Sequence, residues 1–325
     1  MTIAPTAKHP RRAVLAARVL SLALLLSVVF PASIPCVRAA AASESVPEIW
    51  RHLVDRLVAD GLGRVYVDAL FSRSSLAFDP DVMARKMNAL LRTRLEPREP
   101  EHTREGPGVY TRYLGPFLLA GALEYKREHA AMLADVAERY AVPENIMVAL
   151  LLVETKLGTY IGRHRAMENL ASMARADDPA LFADRLDYHD LSAADQAWLV
   201  KRTAQKADWA YRELEALVRY AKAGGHDPLV IPSSVYGAIG LCQFMPTNAL
   251  AYGRDGDGDG RVDLFDHDDA VHSMAHFLAR HGWKPGLSRK AQEKVIYRYN
   301  HNWTYTRTIF AVAESLDKAE SVIGQ

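Results

Sequence analysis

Cysteine is scarce in this sequence of 325 residues, in which only Cys36 and Cys242 occur. Cys36 lies in an N-terminal leader, so removal of the leader would leave Cys242 without a partner in the chain. A disulfide framework is therefore excluded for the mature protein, even in an oxidising compartment. Because 49% of the residues are hydrophobic and 24% are charged, we expect a packed globular core to provide the stability instead.

Excess charge of either sign is also missing, since the formal net charge at pH 7 is +1. Proteins that bind nucleic acid or an anionic membrane over a broad surface carry a basic excess, so we expect no nucleic-acid partner. The sequence has no internal repeats, which argues against a solenoid. Any ligand must therefore be recognised by a local site.

The N-terminal residues differ in composition from the rest of the chain. Basic residues precede an apolar run at residues 19–30, and small residues follow at 39–42. This order is typical of a secretory signal peptide, so we assign residues 1–42 to a signal peptide and expect export. A membrane-spanning helix is the alternative, but the run is shorter than the roughly 20 apolar residues that a bilayer core requires. Lipidation at Cys36 is disfavoured because Pro35 occupies a position where lipoprotein signals normally have a small residue.

Hydrophobic periodicity predicts a mainly α fold for the remaining chain. Residues 43–107 form a predicted N-terminal helical segment that ends in a charged break containing three prolines, at 96–107. Residues 108–325 form the predicted main domain, in which Pro143 is expected at the first turn of a helix. The predicted helical stretches are 46–94, 115–140, 142–158, 165–223, 270–281 and 288–320.

Glu154 follows directly after an apolar helical run at residues 146–153. Helical spacing places it on the same side as Met147, Leu150 and Leu151, so the carboxyl group is expected on a buried face. Loss of hydration disfavours the ionised carboxylate, which would suit a general acid. The structural alternative is an ion pair with a nearby basic residue such as Arg163 or His164.

Two further stretches have compositions that suit a carbohydrate. Residues 234–247 combine glycines with a hydroxyl and an amide, and glycine lets the backbone approach a bulky ligand closely. Residues 297–305 gather aromatic rings and amides, which fit the apolar faces and hydroxyls of sugars. The alternatives are a tight helix entry for the first stretch and a core aromatic cluster for the second.

The acidic stretch from Asp255 to Asp263 has carboxylates at alternate positions and a glycine, Gly260, at the sixth. This is the arrangement of a calcium-binding loop, because the repelling carboxylates need a cation and the turn needs glycine. Asp266 stands at the twelfth position, where glutamate is usual, and its shorter side chain reaches less far. A surface acidic turn without metal is the alternative.

In order along the chain, these motifs resemble those of the lytic transglycosylases, in particular the membrane-bound lytic transglycosylase B family. The similar segments are 140–144 with the Val-Glu-Thr of 153–155, the Gly-x-x-Gln-Phe-Met-Pro of 240–246, and the Tyr-Asn of 299–300. The resemblance implies a lysozyme-like fold in which Glu154 acts as catalytic acid and then as base. Cys242 stands where the family more often has methionine or glycine, which favours packing over nucleophilic chemistry. The resemblance also implies that Ser234 and Gln243 face the substrate. It implies roles in substrate binding or beside the catalytic group for Tyr299, Asn300 and Tyr305, and it aligns Tyr110 less specifically with a tyrosine of the cleft.

The resemblance extends to the acidic stretch, since such transglycosylases have an enlarged EF-hand-like loop whose closing carboxylate comes later than usual. It therefore implies a loop at 255–269 that is closed by Asp269, although Asp266 remains an alternative. We expect a single structural calcium ion, because a lone EF-hand lacks the partner hand of sensor proteins. The implied ligands are Asp255, Asp257, Asp259, the backbone oxygen of Arg261, and Asp269.

The activity implied by this resemblance is cleavage of the β-1,4 bond between N-acetylmuramic acid and N-acetylglucosamine in peptidoglycan, leaving a 1,6-anhydro end. The protein would then be a monomeric periplasmic lyase whose partner is the glycan strand. Two alternatives remain open. One is a lysozyme-type hydrolase that uses water as the nucleophile, and the other is a non-catalytic, calcium-stabilised protein that binds the cell wall.

Overall fold

The fold is known from a computed structural model, which describes residues 45–96 and 108–323. The predicted signal peptide at 1–42, which includes Cys36, and nearly all of the charged break at 96–107 lie outside the described residues. Within the described ranges the protein is mainly helical, as the periodicity predicts. None of the described helices is both long enough and apolar enough to cross a membrane.

The N-terminal segment contains three helices instead of one continuous amphipathic stretch: α1 (Glu48–Ala59), α2 (Arg64–Phe71) and α3 (Pro80–Leu95). The carboxylate of Asp79 caps α3 by accepting a hydrogen bond from the Asp81 amide at 2.9 Å. Trp50 is buried against the edges of two phenylalanine rings. This segment packs on a helix that follows Glu154 in the sequence, since α1 and α3 contact α7 (Ala166–Arg175).

The helix predicted for 115–140 is divided into α4 (Pro116–Glu128) and α5 (Ala130–Tyr140). The division falls at His129, whose backbone leaves helical geometry at φ −106° and ψ 24°. The His129 ring lies against Tyr125 at a centroid distance of 4.2 Å. The prediction of one helix was wrong because apolar periodicity continues across a single residue that turns the chain.

The apolar run before Glu154 forms α6 (Glu144–Thr155), the central helix of the fold. It is buried on all sides except near its ends, because α4, α5, α10 (His267–Arg280) and α12 (Trp303–Ile323) pack around it. A helix that is apolar around its whole circumference is stable only in such a position. Its last turn therefore carries Glu154 into the centre of the protein.

The long helical region predicted for 165–223 contains α7, two short 3₁₀ turns, and α8 (Ala193–Gly224). Two strands of two residues each, which the sequence does not predict, form an antiparallel pair: β1 (His164–Arg165) with β2 (Pro232–Ser233). The pair places the segment after α6 beside the beginning of the glycine-rich stretch at 234–247. That stretch is a loop leading into α9 (Pro246–Tyr252), as predicted.

The C-terminal half contains α9, α10, α11 (Arg289–Tyr299) and α12. Helix α10 begins at His267, three residues before the predicted start, because the Asp266 carboxylate caps it. The helical stretch predicted for 288–320 is interrupted at residues 300–302. After this interruption, α12 packs against α6, and Tyr305 near its start contacts Glu154 in the last turn of α6.

Gly240 provides a test of how the glycine-rich loop is built. Its φ is +71°, and an added Cβ would lie 2.5 Å from the Leu264 carbonyl oxygen. We predict that Gly240→Ala lowers the free energy of unfolding by roughly 2 kcal/mol, because a non-glycine residue is strained at positive φ and the contact forces the loop away. Urea denaturation measures this change.

The matched control is Gly121→Ala in α4, where an added Cβ meets no atom within 4 Å. This variant should be stabilised by roughly 0.5 to 1 kcal/mol, since alanine is the better helix former. Equal unfolding midpoints for the two variants would contradict the described conformation of the loop.

Candidate active site

Glu154 lies in the last turn of α6, and its carboxylate oxygen Oε1 accepts a hydrogen bond from the Tyr305 hydroxyl at 2.6 Å. Tyr305, in the first turn of α12, is itself buried. Among the described residues Glu154 has no ion-pair partner, so the alternative of a structural pair with Arg163 or His164 is wrong. The carboxyl group is held by a neutral hydroxyl and not by a cation.

The surroundings of Glu154 favour its protonated form. Burial raises the pKa of Glu154 to about 7, and the hydrogen bond from Tyr305 opposes this effect only in part. Burial and the neighbouring carboxylate also raise the pKa of Tyr305 well above its ordinary value, so the phenol stays protonated as the donor. The site therefore holds a carboxyl group that can give up and take back a proton near neutral pH.

The chain directly after Glu154 has an unusual backbone. Lys156, Leu157 and Gly158 have consecutive φ values of +51°, +59° and +87°, and two of the three are not glycine. Thr155 holds this turn, because its hydroxyl donates to the Leu241 carbonyl and accepts from the Gly158 amide, both at 3.1 Å. The end of α6 is thus joined directly to the glycine-rich loop.

Two cavities meet at Glu154, and we call them the basic cavity and the amide cavity after the side chains that line only one of them. The basic cavity has a volume of about 450 Å³ and the amide cavity about 430 Å³. Glu154 is the sole carboxylate among the residues that line either of them. The basic cavity is lined by Arg112, Tyr113, Leu118, Val153, Glu154, Lys156 and Tyr160. The amide cavity is lined by Tyr110, Arg112, Tyr113, Val153, Glu154, Asn300, Asn302 and Tyr305.

The amide cavity brings three of the residues singled out in the sequence together with Glu154, namely Tyr110, Asn300 and Tyr305. Asn302 connects them: its amide nitrogen donates to the Tyr110 hydroxyl at 3.2 Å, and its side-chain oxygen accepts from the Tyr305 amide at 3.0 Å. The interruption between α11 and α12 therefore creates this wall of the cavity. Polar side chains from three separate segments face one space.

Tyr299 contacts the glycine-rich loop. Its hydroxyl donates to the Cys242 carbonyl at 2.6 Å, and its ring packs against Phe244 and Phe277. It is not among the residues that line the two cavities, and a role for it in substrate binding or beside the catalytic group stays a prediction. Cys242 is fully buried, and burial raises the pKa of its thiol to about 12, which accords with packing instead of reactivity.

Ser234 and Gln243 also lie outside the two sets of lining residues. The Ser234 hydroxyl accepts a hydrogen bond from the Ala238 amide at 3.1 Å, and the Gln243 side chain donates to the Gly240 carbonyl at 3.0 Å. Gln243 adopts a φ of +49°, which is uncommon for glutamine. These contacts fix the shape of the loop, and a role of either residue in substrate binding stays a prediction.

Several cavity residues escaped the sequence analysis. Arg112 and Tyr113 follow Tyr110 in a 3₁₀ turn, and the Tyr113 hydroxyl donates to the Val153 carbonyl at 3.2 Å. Asn302 lies within the aromatic stretch but was not selected from it. The sequence marked these residues only by their closeness to a predicted site residue. Such closeness does not distinguish a residue that lines a cavity from one that lies on the surface.

The acidic loop groups three of the five predicted calcium ligands. Carboxylate oxygens of Asp255, Asp257 and Asp269 lie within 4.8 Å of one another. Gly260 has a φ of +90°, as the sixth position of such a loop requires. The Asp259 carboxylate accepts from the Arg261 amide at 2.8 Å and is not part of this group of three. The backbone oxygen of Arg261 as a calcium ligand stays a prediction.

Asp266 and Asp269 have different roles in the described geometry. Asp266 caps α10 by accepting from the amides of Asp268 and Asp269, at 2.8 and 3.3 Å. Asp269 is almost fully buried, and its carboxylate accepts from the amides of Gly256 and Asp263, each at 2.6 Å. Burial raises the pKa of Asp269. Of the two carboxylates, only that of Asp269 lies with those of Asp255 and Asp257.

Comparison with known proteins agrees with the fold. The chain is 28% identical to the membrane-bound lytic murein transglycosylase B of Escherichia coli (strain K12) over 186 residues, which are 56% of this chain and 44% of that protein. The matched region thus spans under half the length of this relative.

Solved structures share the fold at lower identity. The soluble lytic transglycosylase SltB1 from Pseudomonas aeruginosa has a TM-score of 0.64 and 21% identity, with 85% of this chain and 100% of that one covered. The Escherichia coli lytic transglycosylase Slt35, solved in complex with calcium, has a TM-score of 0.61 and 21% identity over 84% and 93%. The lysozyme-like transglycosylase fold predicted from the motifs is therefore confirmed.

The family assignment covers most of the chain. The transglycosylase SLT domain profile matches residues 45–293, which include all three helices of the N-terminal segment, Glu154 and the acidic loop. The predicted family is thus confirmed by a match to well over half of the sequence. This chain belongs to the transglycosylase SLT domain family.

Proposed function

We propose that this protein is a lytic transglycosylase that cleaves the β-1,4 bond between N-acetylmuramic acid and N-acetylglucosamine in peptidoglycan and leaves a 1,6-anhydro end. The observation that carries the proposal is the half-buried carboxyl group of Glu154, the sole carboxylate among the residues that line the two cavities meeting there. The family membership supports the reaction class. SltB3 from Pseudomonas aeruginosa, which shares the fold at a TM-score of 0.61, was solved with NAG-anhNAM-pentapeptide.

In the first step, a strand that spans both cavities places its glycosidic oxygen at Glu154, the one acidic residue that lines both of them. The protonated Glu154 gives its proton to the bridging oxygen as the C1–O bond breaks. The N-acetyl group of the substrate then stabilises the positive charge that develops at C1. Tyr305 donates its hydrogen bond to the carboxylate that this step creates.

In the second step, the ionised Glu154 acts as a base. It removes the proton from the C6 hydroxyl of the muramic acid, whose oxygen attacks C1 of the same sugar. The bond from O6 to C1 replaces the bond to the leaving sugar, so no water is consumed. An intramolecular nucleophile has a large entropic advantage over water.

The arrangement of carboxylates supports this mechanism. A glycosidase that works with two carboxyl groups places them about 5 to 9 Å apart across the bond that is cut. Neither cavity offers a second carboxylate among its lining residues. Assistance from the substrate's N-acetyl group removes the need for one.

The proposal also includes a cellular location and a metal ion. Export through the predicted signal peptide at 1–42 would bring the enzyme to its substrate outside the cytoplasmic membrane. A calcium ion held by Asp255, Asp257 and Asp269, with Asp259 and the Arg261 carbonyl as further ligands, would brace the loop whose Leu264 carbonyl accepts from the Leu241 amide at 2.8 Å. The metal would thus support the site through the glycine-rich loop without contacting the substrate.

Glu154→Gln tests the catalytic assignment. Glutamine preserves the shape of the side chain but can neither donate nor remove the required proton, so we predict a loss of turnover of roughly 10² to 10⁴-fold. Mass spectrometry of digested glycan strands measures both the rate and the product. The wild type should release muropeptides that are lighter by one water than hydrolytic products.

Each outcome of that digest has a meaning. Products that contain the extra water would identify a lysozyme-type hydrolase. A wild type that binds strands but never cuts them would identify a wall-binding protein. Unchanged turnover in Glu154→Gln would overturn the role of this residue.

The activity should also depend on pH through Glu154. Its pKa lies near 7, above the ordinary value of 4.5, so the protonated acid is present below about pH 7 and is lost as the pH rises through that value. We therefore predict that kcat/KM falls on the alkaline side with a midpoint near pH 7. Tyr305→Phe removes a hydrogen bond that lowers the pKa, so its alkaline midpoint should move upward. A midpoint that moves downward in Tyr305→Phe would contradict the geometry.

Calcium should raise the thermal stability. Binding to the folded state alone adds about 2.7 kcal/mol at a calcium concentration one hundred times Kd. The melting temperature is compared in chelator and in added calcium. Asp269→Asn should abolish the shift, whereas Asp266→Asn should retain it, because asparagine still caps α10. A wild-type melting temperature that is the same with chelator and with calcium would contradict the calcium site.

A further inference from the structure

The basic cavity differs chemically from the amide cavity although both meet at Glu154. The walls that belong only to the amide cavity are neutral and polar, with two asparagines and two tyrosines. The walls that belong only to the basic cavity are Leu118, Lys156 and Tyr160, an apolar surface with a cation. A strand built from one repeated sugar would not need two chemically different cavities, whereas a strand built from two kinds of sugar would.

Arg112 contributes the central charge. It lines both cavities, and its guanidinium lies 5.1 Å from the ring centre of Tyr110 and 5.0 Å from that of Tyr113. Its hydrogen bond goes to the Tyr113 hydroxyl at 3.5 Å, and no carboxylate of the described residues lies within ion-pair distance of it. The two rings hold the guanidinium in place while its charge remains available.

Lys156 brings a second cation to the basic cavity. It is exposed, and its backbone φ of +51° directs it from the turn that ends α6. Its ammonium group has no carboxylate partner among the described side chains. Two cations thus line a space in which Glu154 is the sole acid. The guanidinium of Arg163 lies 5.8 Å from the ring centre of Tyr160, which also lines this cavity.

We propose that Arg112 and Lys156 are specificity residues, which bind a carboxylate of the muramic acid unit and so select anionic strands over neutral ones. This inference rests on the proposed function for its substrate class. Muramic acid differs from its neighbouring sugar by a lactyl group, which ends either in a free carboxylate or in a peptide that carries carboxylates. Arginine and carboxylate form strong, directional hydrogen bonds, and a lysine adds attraction as a point charge.

The test measures affinity in the Glu154→Gln background, so that the result does not depend on bond cleavage. Three soluble strands of equal length serve as probes and are titrated by calorimetry. The first has free lactyl carboxylates and no peptides. The second has peptides, so its lactyl groups are amides and its carboxylates lie on the stems. The third is the first strand with its carboxylates converted to neutral methyl amides.

We expect Arg112→Gln to weaken binding of a carboxylate strand about tenfold and to leave the neutral strand unchanged, because only a charged hydrogen bond is lost. Lys156→Gln should act in the same direction, and Arg112→Lys should restore most of the affinity. The effect should shrink as the ionic strength rises. A loss on the first strand identifies the lactyl carboxylate as the ligand, and a loss on the second alone identifies the stem.

Arg51→Gln is the matched control, since it removes the same charge from α1, which contributes no residue to either cavity. It should bind all three strands as the parent does. The inference is overturned if Arg112→Gln binds carboxylate strands as tightly as the parent, or weakens the neutral strand equally. A wild type that prefers carboxylate strands but cuts none would instead refute the proposed function and leave this selectivity intact.

Discussion

The contact between the Glu154 carboxyl group and the Tyr305 hydroxyl is the interaction on which the rest of the site depends. A carboxyl group at the end of an apolar helix is desolvated, which disfavours its charge, whereas a neutral donor at 2.6 Å favours the charged form. The balance leaves a group that ionises near neutral pH. A cation in place of the phenol would have fixed the carboxylate in its charged form and removed the acid.

The fold serves to hold these two side chains together. Helix α6 can carry Glu154 into the centre because four other helices cover its apolar surface. Thr155 then connects the end of α6 to Leu241, and Leu241 connects the glycine-rich loop to Leu264 beside the acidic loop. These two hydrogen bonds thus connect the turn that holds Glu154 to Leu264 in the acidic loop.

Local pattern and motif order predicted part of this structure. The position of Glu154 followed from a run of apolar residues with helical spacing, and the family resemblance singled out Tyr305, whose hydrogen bond to Glu154 only the structure shows. The break at His129 could not be predicted, because one residue that leaves helical geometry does not disturb apolar periodicity. Arg112 was missed for a different reason: its importance comes from two cavities that are formed by segments distant in sequence. The resemblance had already pointed to Asp269 in preference to Asp266, and the geometry groups the Asp269 carboxylate with those of Asp255 and Asp257.

The most direct measurement of the central claim is the ionisation of Glu154 itself. Carbon-13 labelling of the glutamate side-chain carboxyl groups, with Glu154→Gln used to assign the signal, allows its chemical shift to be followed against pH. The account predicts a titration midpoint near 7, well above the ordinary 4.5 of a glutamic acid. A midpoint close to 4.5 would show that the carboxyl group is ionised at neutral pH and would contradict its role as the proton donor.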